Sequence, residues 1–91
     1  MINVMIFTLP SCAPCNLLKK DLEQNPINNA NILMYDMSQP VGDVVDLAVK
    51  YNVRGAPTTV VFKEDGSIYY IGTMIKTAAK LNETIIEAKN A

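Results

Sequence analysis

The sequence predicts an α/β fold in which a mixed four-stranded sheet is flanked by three helices, in the chain order βαβαββα. Three observations lead there. Apolar runs rich in strand formers alternate with segments whose apolar residues recur at helical spacing. The first three elements form a βαβ unit, whose crossover makes the two strands parallel. An Asp65-Gly66 turn then joins two β-rich runs into an antiparallel hairpin.

Val4-Met5-Ile6-Phe7 is apolar without alternation, as expected of a strand covered on both faces. Thr8-Leu9-Pro10 ends it. Ser11 is the expected N-cap of the first helix, and Pro14 falls in the first turn, where a missing N–H costs little. Leu17, Leu18 and Leu22 are read as the buried stripe, with Lys19, Lys20, Asp21 and Glu23 on the wet side. Asn25-Pro26 stops the helix.

Asn28 to Asn31 read as a loop, and Ile32-Leu33-Met34-Tyr35 as the second strand, ending at Asp36. Ser38-Gln39-Pro40 introduces a second helix, with Val41, Val44, Val45, Ala48 and Val49 facing the protein and Asp43, Asp46 and Lys50 facing water. Valines are poor helix formers, so packing must decide this element. Tyr51 to Pro57 is a loop, Thr58 to Lys63 the third strand, Glu64-Asp65-Gly66-Ser67 the turn and Ser67 to Ile71 the return strand, broken by Gly72. From Thr77 to Lys89 a last helix carries Ala78, Leu81, Ile85 and Ala88 along one stripe, with Lys80, Glu83 and Glu87 outward.

Bulk properties narrow the function. The chain has 91 residues, 49% of them hydrophobic and 19% charged, as expected of a single small globular domain spanning 1–91. The net charge of −1 implies no basic face, and hence no nucleic-acid partner. Apolar runs are too short to span a bilayer, and the apolar N-terminus lacks the basic region and cleavage site of an export signal. A cytoplasmic location, no membrane association and a monomeric state are therefore expected.

Chemistry concentrates in Pro10-Ser11-Cys12-Ala13-Pro14-Cys15, which holds the only two cysteines. Cys12 sits where a strand gives way to a helix, facing unpaired N–H groups and the positive end of the helix dipole. Thiols so placed have pKa values of roughly 3.5–7.5 in place of about 8.5, and only thiolate attacks a disulfide. Cys15 lies about one turn further on the same side, close enough to form a disulfide with Cys12. Two other readings of the pair stand beside redox chemistry: small buried hydrophobes, and half of a zinc site. The second lacks ligands, because the chain has no histidine and no third cysteine.

With these residues in view, the chain resembles the thioredoxin-like superfamily over nearly its whole length, in the small form shared by glutaredoxins and short thioredoxins. Cys12-Ala13-Pro14-Cys15 is similar to the family's active-site motif. Val53-Arg54-Gly55-Ala56-Pro57-Thr58 resembles its cis-proline loop, and Gly66 and Gly72 match glycines at corresponding places. The resemblance implies a thioredoxin-like fold and an enzyme that reduces protein disulfides. Cys12 would attack, Cys15 would resolve, and the redox-active Cys12–Cys15 disulfide would serve without another cofactor or a metal. Pro57 would be cis, with the backbone of Ala56 offered to an extended substrate segment. Pro14, Arg54, Gly55, Gly72, Thr73 and Met74 would rim the same groove. Arg54 would aid thiolate formation, engage an acidic partner or simply be solvated. The implied electron donor is a thioredoxin-reductase-type enzyme or glutathione, and ribonucleotide reductase is a candidate target.

The sequence departs from both branches of the family. Ser11 stands where thioredoxins usually carry tryptophan, and Ile6 where they carry a buried aspartate. The extra N-terminal strand and helix of full thioredoxins are not represented. Pro14 stands where glutaredoxins usually place an aromatic residue, and Ile71-Gly72-Thr73-Met74 does not reproduce their glutathione-gripping Gly-Gly-Asp pattern. A reductase is therefore the preferred donor. Two readings from other classes remain: a non-catalytic module that binds partners through the Pro57 groove, and an oxidant or isomerase of folding proteins.

Overall fold

The computed structural model describes residues 1–39 and 41–91. Its elements are β1 (Ile2–Thr8), α1 (Ala13–Gln24), β2 (Ala30–Asp36), α2 (Val44–Lys50), β3 (Thr58–Phe62), β4 (Ile68–Gly72) and α3 (Ala78–Lys89). The sheet order is β2-β1-β3-β4. β1 runs parallel to β2 and antiparallel to β3, and β3 and β4 form the hairpin. This is the βαβαββα arrangement that the sequence predicts.

Alternation along β1 sorts the two faces of the sheet. Ile2, Val4 and Ile6 join Val61 of β3, Leu18 of α1 and Leu81, Ile85 and Ala88 of α3 in one apolar cluster. Phe7 points the other way and is equally buried, stacking on Tyr35 with ring centroids 5.4 Å apart. Phe62, also on this second face, meets the ring of Tyr51, which caps α2, edge to face at 5.9 Å. Only the middle of the sheet is covered on both sides. The edge strands keep Leu33, Met34, Ile68 and Ile71 exposed.

Several elements depart from expectation for identifiable reasons. The stripe of α1 is Cys15, Leu18 and Leu22, whereas Leu17 is 67% exposed. Residues 15, 18 and 22 recur at helical spacing, and residue 17 lies off that line. Asp21 is half-buried, not solvated: its Oδ2 accepts from the backbone N–H of Ala78 at 2.7 Å, tying α1 to the first turn of α3. Thr77 caps α3 by accepting from the N–H of Lys80. α2 is shorter than its valine pattern suggests, because Gly42 takes a left-handed φ of +60° just before it. Val41 lies outside the helix, and it is exposed together with Val45 and Val49. Val44, Leu47 and Ala48 make the half-buried line instead. Pro40, expected to help introduce this helix, lies outside the described residues. β2 begins at Ala30, so part of the expected Asn28–Asn31 loop is strand, and the side chains of Asn31 and Asn3 hydrogen-bond across the β1–β2 pair at 3.2 Å.

The turn at Asp65-Gly66 forms as expected. Gly66 has a φ of +88°, and the Asp65 carboxylate accepts from the N–H and hydroxyl of Ser67. These two bonds, the hydroxyl's first, hold the Asp65 carboxyl below its ordinary range.

One buried group is left unsatisfied. Thr59 in β3 is fully enclosed, and its hydroxyl finds no hydrogen-bond partner among the described residues. A desolvated hydroxyl without a partner is a net cost, so Thr59→Val, which keeps the side-chain shape, is expected to stabilise the fold by about 1 kcal/mol. The urea midpoint measures this, and a lower midpoint for the variant would show that the hydroxyl is satisfied in solution.

Candidate active site

Both cysteines lie at the start of α1, just beyond the C-terminal end of β1. They are joined as a disulfide with Cα atoms 5.2 Å apart. The N-cap of α1 is Cys12, not Ser11 as expected. Proline explains the difference. An N-cap side chain accepts from the N–H two or three residues on. From Ser11 the more distant of these is Pro14, which has no N–H. From Cys12 it is Cys15, whose N–H does donate to the Cys12 Sγ at 3.1 Å. A further bond from the Cys12 N–H to the Leu9 carbonyl, 3.1 Å, closes the preceding turn. Asn16 reaches back to the Pro10 carbonyl at 3.2 Å.

The two cysteines are not equivalent. Cys15 is fully buried, while Cys12 is only half-buried. On reduction the negative charge is best placed on Cys12. There a backbone N–H already points at the sulfur and the helix dipole favours an anion.

Strand register brings the second segment to the same end of the sheet. Phe7 pairs with Thr58, so the loop before β3 emerges beside the turn that carries Cys12. The Ala56–Pro57 peptide bond in that loop is cis, as the resemblance implies. Pro57 is buried and Ala56 half-buried. The Thr58 hydroxyl donates to the Gly55 carbonyl, folding the loop back on itself across the proline. Arg54 is exposed, and its Nε donates to the Asn52 side chain at 3.2 Å. It lines a shallow cleft of about 430 Å³ with Met37 and residues of α2, and neither cysteine lines that cleft.

The third segment follows β4. Gly72 ends this strand opposite Thr59, so Thr73 and Met74, both exposed, leave the sheet at the same end as Pro57. Pro14 is exposed on the first turn of α1. Cys12, Pro14 and Cys15, then Ala56 and Pro57, then Gly72 and Thr73 thus lie on three separate segments that the strand register brings to one end of the sheet, whereas Arg54 lines the cleft beside α2.

Sequence reasoning missed Thr58 as a brace of the proline loop and Tyr70 as a partner of the Met74 N–H. Thr58 falls within the stretch that resembles the cis-proline loop, but nothing there assigns its hydroxyl a partner, and Tyr70 reads simply as a strand residue. Asp36 is also at this end of the sheet, and its carboxyl is held below the ordinary range by the hydroxyl and then the N–H of Ser38. Among the described residues, no three or more His, Cys, Asp or Glu side chains gather in a metal-binding arrangement.

A disulfide at the head of a helix, with one cysteine partly exposed and the other enclosed, at the end of the sheet that also carries a cis-proline loop, defines a dithiol–disulfide oxidoreductase. Comparison with known proteins agrees. The family described as thioredoxin-like domain matches residues 3–89, and the chain belongs to it. A sequence comparison with curated proteins finds no match. Among solved structures, the thioredoxin of Fasciola hepatica is similar with a TM-score of 0.77 and 28% identity, over 97% of this chain and 81% of that one. A point mutant of the thioredoxin from Halobacterium salinarum NRC-1 gives a TM-score of 0.76 at 25% identity, over 96% of this chain and 74% of that one. A thioredoxin-like protein from Clostridium perfringens shares the fold at a TM-score of 0.78 and 20% identity, over 98% of this chain and 71% of that one.

Proposed function

We propose that this protein reduces disulfides in other proteins, drawing electrons from a flavoprotein reductase of the thioredoxin-reductase type. The observation that carries the reading is the unequal burial of the two cysteines of the disulfide. In the reduced protein the Cys12 thiolate attacks one sulfur of a target disulfide. A Cys12–target bond forms, the target's S–S bond breaks, and its second sulfur leaves as thiolate and takes up a proton. Cys15, having lost its proton, then attacks Cys12 Sγ. The Cys12–Cys15 bond forms, the mixed disulfide breaks, and the remaining target sulfur leaves as thiol. Two electrons have passed to the target, and the reductase returns two to the Cys12–Cys15 disulfide.

The exposed rim supplies binding. The backbone at Ala56, beside Pro57, pairs with an extended target segment, while Pro14, Gly72 and Thr73 border it and Arg54 favours acidic neighbours. The residues at 71–74 offer no carboxylate to grip the amino group of glutathione, which favours the reductase as donor. A cytosolic monomer with targets such as ribonucleotide reductase fits this chemistry. In the described residues no helix is long and apolar enough to cross a membrane.

The test supplies two donor systems separately: NADPH with a thioredoxin reductase, and glutathione with glutathione reductase. Reduction of a protein disulfide is followed in each. Turnover is expected with the first and little with the second, and the reverse result overturns the choice of donor.

A further inference from the structure

Gly72 lacks a side chain because another residue occupies the space. A Cβ at this position would lie 2.7 Å from the hydroxyl oxygen of Tyr70 and 3.1 Å from its Cζ. The tyrosine therefore lies along its own strand, across Gly72, with its ring packed against the main apolar cluster. Its Oη accepts from the backbone N–H of Met74 at 3.1 Å. Ile75, the next residue, is 1% exposed and anchored in the core, while Met74 itself is 76% exposed. The short segment Thr73–Met74 is thus held at three points: the end of β4, the Tyr70 hydroxyl and the buried Ile75.

From this we infer that Tyr70 is a positioning residue for target binding: its hydroxyl locks the Thr73–Met74 backbone into the rim beside the Pro57 loop, and Gly72 is bare to admit it. The lock does not reach the sulfurs, so it acts on the docking of a protein segment and not on exchange itself. Its role in binding rests on the disulfide-reductase reading above. The lock as a physical contact does not.

Three variants test it: Tyr70→Phe, Gly72→Ala and the double variant. Phe keeps the ring in the core and removes only the hydroxyl. Loss of one such bond corresponds to about a fivefold effect. Tyr70→Phe is expected to speed exchange of the Met74 amide proton, read by NMR, by about that factor. With a protein disulfide, KM is expected to rise about fivefold at unchanged kcat, and the rate with a small aromatic disulfide to stay the same. Gly72→Ala, which drives the tyrosine oxygen away, is expected to speed Met74 amide exchange by a similar factor. The double variant is expected to be no worse than either single one, because both remove the same contact.

Unchanged Met74 exchange in Tyr70→Phe overturns the lock. A freed Met74 amide with KM unchanged overturns its role in binding. Parallel loss with the small disulfide points to general damage and also counts against the inference. If the unaltered protein reduces no protein disulfide at all, the reductase reading fails and the role in binding with it, while the exchange measurement still decides the contact.

Discussion

Reduced Cys15→Ser protein, mixed with a disulfide-bearing target, is expected to accumulate a covalent adduct through Cys12, whereas Cys12→Ser accumulates none and turns over at the uncatalysed background. The half-exposed Cys12 can be reached by a target sulfur and the fully buried Cys15 cannot. Removing Cys15 leaves the attack intact and eliminates the group that breaks the mixed disulfide. The Cys12 variant separates loss of chemistry from loss of fold. Residue 12 is the N-cap of α1, and serine is a preferred N-cap that can accept the same Cys15 N–H. Cys12→Ser is therefore expected to remain folded with a helix start at least as good as that of the reduced parent. Non-reducing electrophoresis resolves the adduct, and circular dichroism checks the fold. If the adduct forms with Cys12→Ser instead, the assignment of attacking and resolving sulfurs is wrong.

How much of this is legible in the sequence depends on how local the controlling physics is. The hairpin at Asp65-Gly66 and the α3 stripe of Ala78, Leu81, Ile85 and Ala88 follow from short-range rules, and the structure has both. The cysteine pair is also legible from its spacing and flanking elements, whereas the cis-proline at 57 is legible only through the family resemblance. The errors come where a decision depends on one bond or on helix phase. Ser11 is a reasonable cap until the missing N–H of Pro14 is considered. Asp21 reads as solvated because its partner, the N–H of Ala78, lies 57 residues away in sequence. The α2 valines point to a longer buried stripe than seven helical residues can supply. The Tyr70 contact with Met74 has no signal, since it depends on a side chain folding back over a glycine in three dimensions.

Leu18→Ala is expected to lower stability by about 3 kcal/mol, while Leu17→Ala one residue earlier changes it by no more than about 0.5 kcal/mol. Leu18 is fully buried in the cluster with Ile6, Val61 and Leu81, and truncation leaves a cavity that neighbouring strands cannot collapse to fill. Leu17 is 67% exposed and loses little water-excluded surface. For a domain of this size, whose total stability is about 5–14 kcal/mol, the first change is a large fraction and shifts the thermal midpoint strongly. Denaturant unfolding of the two variants reads out the rotational phase of α1, and that phase controls the chemistry. Cys15 shares the buried line with Leu18 and Leu22, one turn before Leu18. A helix turned so that Leu17 bore the load would bring Cys15 off that line and toward solvent, giving a target access to both sulfurs. The larger loss at Leu18 and the adduct through Cys12 are thus two consequences of one orientation. If Leu17→Ala proves the costlier change, the ordering of the two cysteines loses its structural basis as well.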